Sequence, residues 1–383
     1  MRAPLSRLIA GAVLLASVVT FATISTASAT THPHVTYIKL SMAKAYAPHA
    51  PSGGSDDYHC SLINANVTTD SYVVSSDFEP GDGSGALQAH EVHHAILFVI
   101  PPSWAAAATK ANNGGKGWTC FGETVLSQQQ ISLPGVGSPT GGPRWLTGWA
   151  PGDNQQSAPA GTGVLFPKGS LVVMQIHYNM LASRKAVKSS LTLGTVPVSA
   201  SIKPLSLDLF PAPPDVPCLA KWHPATTPLC QRSNALTYLG KRFGKSAIGF
   251  DKGLEAICGR DPNNPPVGDT TSCIWTYHHS ANIVQIGAHM HLTGMSMKVV
   301  LDPGTSKQQV LLNDSNFNFD NQISYKMSSP VHVTSGDKVQ VSCTYNPIIH
   351  DVNPQLRNVP HRFIVWGDGS SDEMCLALIS TIQ

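Results

Sequence analysis

The sequence predicts an all-β protein: antiparallel β-sandwiches in two domains, with a small disulfide-pinned helical excursion in the second. Short β-favouring runs recur along the chain, and segments rich in Gly, Pro, Asn and Asp separate them. Their spacing argues against alternating β-α units. The eight cysteines, an even number, all follow the N-terminal segment.

That first segment has its own logic. Arg2 and Arg7 mark a basic start, residues 8–24 are almost wholly apolar, and Ala27-Ser28-Ala29 fits the small-x-small cleavage pattern. Residues 1–29 are expected to be a signal peptide cleaved after Ala29, giving a secreted or extracytoplasmic protein. The apolar run is short for a spanning helix and no stop-transfer segment follows, so no membrane association is expected after cleavage. An uncleaved anchor is the alternative.

Losing Arg2 and Arg7 from the 25 basic residues balances the chain against its 23 acidic ones. With no basic run, nucleic acid and anionic membrane surfaces are not expected partners. Charged residues make up 13% and hydrophobic ones 42%, with 29 prolines and 32 glycines, as in a turn-rich globular protein. The length exceeds one usual core. Domains are expected at 30–200 and 201–383, the join lying near 199–217, where Pro204, Pro211, Pro213, Pro214 and Pro217 crowd.

In the first domain, residues 71–75, 95–100, 170–178 and 189–197 read as strands. In the second, 283–287, 295–301, 308–312, 338–343 and 363–366 do so. Turns are expected at 80–85, 112–117, 138–142 and 302–304. Residues 233–243 and 252–257 read as weakly helical and sit among Cys218, Cys230, Cys258 and Cys273. An even cysteine count in an exported chain implies four disulfides, and no C-x-x-C spacing suggests zinc or redox chemistry. Spacing alone leaves the connectivity mostly unresolved, that of Cys218, Cys230, Cys258 and Cys273 included.

Sixteen histidines invite a metal reading, but most are expected to be ordinary. His289 and His291, two apart on a strand, project from one face as a bidentate clamp; two solvated surface histidines are the bland alternative. His177 ends an apolar strand and alone reads as a satisfied sheet histidine. His93 and His94 would diverge in a regular strand, but a bulge or strand start can turn both to one metal. His90-Glu91-Val92-His93-His94 also satisfies H-E-x-x-H, which in zinc peptidases needs a helix. Gly-rich sequence before it and the run 96–100 followed by Pro101-Pro102 oppose a helix there. His278-His279 is read as structural.

Taken together, His93-His-Ala-Ile-Leu-Phe98, Gln175-Ile-His-Tyr178, His289-Met-His-Leu-Thr-Gly294 and Asp372-Glu-Met-Cys375 occur in one order. This order resembles the copper type II, ascorbate-dependent monooxygenases, the family of dopamine β-hydroxylase and peptidylglycine α-hydroxylating monooxygenase. Tyr58-His-Cys60, Gly148-Trp-Ala-Pro-Gly152, Phe166-Pro-Lys-Gly169 and Val333-x-x-Gly-Asp337 also match, so the resemblance spans residues 40–383. It implies two jelly-roll-like sandwiches, each contributing one copper across a solvent-filled cleft. His93, His94 and His177 match the electron-supplying copper; His289, His291 and Met374 match the oxygen-binding one. It also implies the disulfides Cys60–Cys120 and Cys343–Cys375, with two copper ions per chain, O2, and ascorbate or another one-electron reductant. Imidazole suits both copper oxidation states and a thioether favours Cu(I), so a site of two histidines and one methionine stays reducible. Gln175 and Tyr58 sit on family-matching positions, where packing alone also accounts for them.

Departures bear on the substrate. The peptide-amidating branch holds a terminal carboxylate through an arginine two residues before its H-x-H pair; here that residue is Gly287. Polar partners after the methionine are replaced by Leu376 and Leu378. A carboxylate buried without its cation is costly, so peptide amidation is not expected. The dopamine-hydroxylating branch has an extra N-terminal domain for which this chain has no room, so catecholamine is not expected either. The expectation is a copper monooxygenase acting on a C–H bond of a small, neutral or weakly polar molecule. A non-catalytic secreted copper-binding protein, the zinc peptidase at His90, Glu91 and His94, and a β-sandwich adhesion module are the alternatives.

Overall fold

Buried strands on both sides of a sheet read as near-continuous apolar runs, whereas half-exposed ones alternate. Both patterns occur here. The computed structural model describes residues 34–50, 55–81, 92–121, 124, 126, 142–151, 155–180, 185–199 and 201–383. The expected signal peptide lies outside the described residues, as do His90 and Glu91.

The first half comprises β1 (Thr36–Ser41), β2 (Asp56–Ile63), β3 (Ser71–Glu79), β4 (Val92–Ile100), α1 (Ala105–Ala111), β5 (Trp118–Thr119), β6 (Arg144–Trp149), β7 (Gln156–Ser157), β8 (Thr162–Phe166), β9 (Leu171–Asn179) and β10 (Ser190–Pro197). One sheet runs β5-β2-β9-β4-β6. Every residue of β4 is buried: Leu97 and Val99 enter the sandwich core with Met174 and Tyr178, while Ile96, Phe98 and Ile100 pack beneath Ala108 of α1. The Ala-rich helix α1 was not expected from the sequence.

The second half comprises β11 (Lys203–Pro211), α2 (Arg232–Phe243), α3 (Lys245–Ile257), β12 (Thr270–Thr276), β13 (Ala281–Met290), β14 (Gly294–Leu301), β15 (Gln309–Asp314), β16 (Ser324–Val333), β17 (Lys338–Tyr345), α4 (Ile349–Val352) and β18 (Cys375–Ile382). The sheet β12-β17-β14-β15 packs on β11-β18-β13-β16. In β18, Cys375, Ala377 and Ile379 enter that core, Leu376 packs against its margin, and Leu378 and Ser380 lie outside it. Strand β11 pairs with β18 over Leu205–Pro211 and runs parallel to β8 at Lys203 and Pro204, so both halves share one nine-stranded sheet. Residues 34–383 form one unit; 30–200 and 201–383 stand as a proposed division at β11.

Two expectations are corrected. Residues 363–366 form no strand but two single bridges, Val216 with Ile364 and Trp366 with Glu373. The alternation there serves a different end: Phe363 and Val365 pack on α2, and Ile364 and Trp366 enter the sandwich core. The second helix begins at Lys245 rather than at 252, because burial of Leu254 and Phe250 overrides the low helix propensity of Gly249 and Gly253. Four disulfides form: Cys60–Cys120, Cys218–Cys230, Cys258–Cys273 and Cys343–Cys375. Two of them pin the helical excursion. Among the described residues, no helix is long and apolar enough to cross a membrane.

Candidate metal centre

The first histidine set is built on three adjacent strands. His94 pairs with His177 across β4 and β9, and His177 pairs with Tyr58 across β9 and β2. Between Val92 and His94 the register shifts, making His93 the extra residue of a bulge. The bulge lets consecutive histidines turn inward together. Donor-capable atoms of His93, His94 and His177 lie within 4.8 Å of one another. His177 Nε2 sits 2.9 Å from Asp56 Oδ1, and its Nδ1 lies 3.3 Å from His94 Nδ1. Tyr58 stacks on His177 at 4.1 Å and donates its hydroxyl to the Asp368 carbonyl. His93 stacks on Phe319 of the second half at 3.9 Å.

The second set lies where β13 ends. His289 and His291 present their rings 5.2 Å apart at 90°. Gln322 donates through Nε2 to the Phe319 carbonyl, which aims its Oε1 at His289 Nδ1, 2.7 Å away. That arrangement puts the proton on Nδ1 and leaves Nε2 bare. Met290 pairs with Cys375 across β13 and β18, so His291 and Met374 each stand one residue past the paired end of their strands. The Cys343–Cys375 disulfide fixes the same strand end. Glu373, fully buried, accepts from His291 N, Thr293 N and Thr293 Oγ1, and so ties the histidine segment to the methionine segment. Burial raises its carboxyl to about 7 against those hydrogen bonds.

Burial, followed by repulsion among the rings, holds His93 and His94 well below the ordinary histidine range. Burial likewise takes His289 down to about 4 and His291 to about 3. These imidazoles are therefore neutral near pH 7, with lone pairs available. Burial opposes ionisation of Asp56, but its hydrogen bond and charge interaction with His177, with the Ser370 N–H, keep it below the carboxylate range. Several of these nitrogens lack partners: His93 Nε2 and both ring nitrogens of His291 are buried without a hydrogen bond. Orphaned imidazole lone pairs cost about 1–3 kcal/mol each. A soft or borderline metal would satisfy them. Three imidazoles in one set, and two imidazoles with a thioether in the other, are donor types that suit copper.

The two sets meet. His94 and His289 lie 5.7 Å apart, ring to ring. Both, with Met374, Tyr58 and Gln175, line a cavity of about 970 Å³ between the halves. Gln175 is buried and donates Nε2 to the Cys120 carbonyl at 2.7 Å, tying this wall to the first disulfide. His278 and His279 are exposed. His94 lies in strand β4, so the helical face required by the zinc-peptidase pattern is not formed over Val92–Ile100.

The sequence reading missed Asp56, Gln322, Glu373 and Phe319. It also missed how the helical excursion serves the site. Arg242 of α2 and Arg362 both donate to Asp372, at 2.5 and 2.9 Å, two residues before Met374. Burial opposes its ionisation, but these two arginines hold Asp372 below the carboxylate range. For Asp56 a signal existed: it lies two residues before Tyr58 on one strand face.

A bulged histidine pair facing a strand-end histidine pair on sandwich walls defines a candidate metalloprotein centre. Residues 269–380 match the family model of the copper type II ascorbate-dependent monooxygenase C-terminal domain. Residues 269–380 are therefore similar to that family's C-terminal domain, in line with the resemblance carried by the sequence motifs. No curated protein matches the chain. Among solved structures it is similar to an allantoicase at 9% identity, with a TM-score of 0.19 over 75% of this chain and 73% of that one. It is also similar to PNGF-II at 11% identity, with a TM-score of 0.31 over 91% of this chain and 66% of that one.

Proposed function

We propose that the protein is a secreted copper-dependent monooxygenase that hydroxylates a C–H bond of a small organic substrate, neutral around the reacting carbon. The balanced reaction takes R–H, O2, two electrons and two protons to R–OH and water, the electrons coming from ascorbate or another one-electron reductant. The disulfides flanking the two histidine sets, Cys60–Cys120 and Cys343–Cys375, suit an oxidising compartment.

In this reading His93, His94 and His177 hold one copper, and His289, His291 and Met374 hold the second. Bound copper supplies one-electron chemistry toward O2. The remaining work is done by the chain. Asp56 orients His177 through Nε2 and leaves Nδ1 for the metal. Gln322 does the same for His289, with Nε2 free. Glu373 and the Cys343–Cys375 disulfide tie the Met374 segment to the His291 segment, and apolar side chains of the cavity wall would limit water at the reacting carbon.

The observation that carries this reading is that His94, His289 and Met374 line one cavity, with His93 and His177 clustered on His94 and His291 beside His289, both nitrogens of His291 being buried and unpaired. Metal analysis with X-ray absorption on the reduced protein tests the ligand set: about two coppers and a sulfur scatterer are expected. Ascorbate-driven O2 uptake coupled to a hydroxylated product then separates an enzyme from a copper-binding protein without turnover. Copper binding without any coupled uptake across benzylic, alkyl and amine substrates would sink the hydroxylase reading.

A further inference from the structure

Resting on that reading, we infer that the cavity selects an elongated amphiphile, with an apolar body against the sheet β11-β18-β13-β16 and a carboxylate head beside Lys326. Strand register gives the argument. The cavity-facing side of this sheet forms three rows. The inner row joins Pro211, Leu376 and His289; the middle row joins Leu209, Leu378 and Gly287; the outer row joins Ser380, Gln285 and Lys326. All of these positions except Gly287 line the cavity.

From His289 to Gln285 is four residues, or ~14 Å at ~3.4 Å each. Chemistry changes along that line. Beside the histidine pair the wall is leucine. In the middle row Gly287 adds no side chain, and a Cβ there would meet Ser324 Oγ at 2.7 Å, so the floor stays low. Past His289, Ser324 beside Gly287 is the one hydrogen-bonding side chain of the middle row; Gln285 and Ser380 follow at the outer row, and the exposed cation, Lys326, comes only there. A short polar molecule would leave its polar groups on leucine, which is unfavourable. A carboxylate placed at Lys326 remains near water while its chain covers the apolar rows. The cavity, about 970 Å³, sits at the upper end of the ~300–1,000 Å³ usual for ligand sites. This keeps the reacting carbon in neutral surroundings and moves the charge to the far end of the substrate. An extended chain spanning these rows is close to decanoate.

The test uses copper-free protein, so that binding is read apart from turnover. Trp145, Trp149 and Trp366 line the cavity, and their fluorescence reports occupancy. In titrations with hexanoate, octanoate, decanoate and dodecanoate, the dissociation constant should fall by about fourfold per added methylene. The gain should stop near decanoate. Lys326→Glu, on an exposed edge-strand position, should weaken decanoate at least tenfold and leave decanol unchanged. Leu378→Asp should weaken both. The inference is overturned if phenol binds as tightly as decanoate, if chain length has no effect, or if Lys326→Glu affects acid and alcohol alike. Loss of ascorbate-driven O2 uptake with this binding pattern intact would instead count against the hydroxylase reading.

Discussion

The two histidine sets lie ring against ring, yet they are held in different ways. His177 lies inside a five-stranded sheet with its outer nitrogen on Asp56 and its face on Tyr58. His291 lies just beyond a strand end, its ring nitrogens without any partner, and only its backbone N–H is engaged by Glu373. In the first set His177 is preorganised by its hydrogen bond to Asp56 before any metal arrives, although His93 Nε2 is left unpaired. In the proposed reading the second set takes its third ligand, Met374, from another strand, and a metal would satisfy His291. An electron-storing site benefits from fixed geometry; a site that must admit O2 benefits from an incomplete one. The contrast is one of supporting contacts, since the imidazoles themselves are alike.

The sharpest way to break this contrast is at the methionine. Met374→Ala should lower kcat by about a hundredfold or more, since a thioether that favours Cu(I) is lost. The first copper should remain, so metal analysis should show no less than half the parent's copper. Sulfur scattering in the reduced protein should vanish. Retained sulfur scattering would place the thioether ligand elsewhere. Next in size is the carboxylate. Asp56→Asn removes the charged partner of His177 and should weaken copper at the first set by about 10–100-fold, with the second set little changed in competitive chelator titrations.

Much of this site was legible in the sequence because its geometry is local. Two histidines two apart on a strand must share a face, as His289 and His291 do. The bulge needed to turn His93 and His94 together was an explicit condition, and the register shift at Val92 meets it. Met374 had no local signature and came only from resemblance. The supporting residues were not legible for a physical reason. Asp56 reaches His177 across 121 positions and Arg242 reaches Asp372 across 130, and no periodicity encodes such contacts. The segment 363–366 misled for the converse reason: it alternates as a strand does, but its two faces serve a helix and a sheet core.

Acid stability offers a smaller, graded probe. An unfolded histidine takes a proton below about pH 6.5, whereas buried His291 resists until about 3. Within that window the unfolded chain binds the extra proton, so stability falls as pH drops, by up to about 1.4 kcal/mol per unit for one such group. Glu373 and Asp368, both raised to about 7 by burial, act in the opposite sense. The clean measurement is therefore a difference. In copper-free protein, denaturant midpoints of the parent should fall more steeply between pH 6.5 and 4 than those of His291→Asn. Equal slopes would mean that His291 titrates normally and is not held neutral.

The smallest expected effect tests the weaker support of the second set. Gln322 accepts from His289 with a neutral amide, where Asp56 engages His177 with a charge. Charge-assisted hydrogen bonds are roughly twice as strong as neutral ones. Gln322→Ala should therefore weaken second-set copper by only about three- to tenfold, below the change at Asp56, because a neutral hydrogen bond contributes about 0.5–1.5 kcal/mol. Gln322→Glu should recover that loss, since a carboxylate can accept from the same Nδ1–H and raise the basicity of Nε2. If Gln322→Ala proved as damaging as Asp56→Asn, the amide would be fixing more than one ring. Its second hydrogen bond, to the Phe319 carbonyl, names the other: Phe319 carries the ring on which His93 stacks. Copper would then be lost from both sets in one step, and the contrast between a preorganised and a metal-completed set would give way to a single coupled centre.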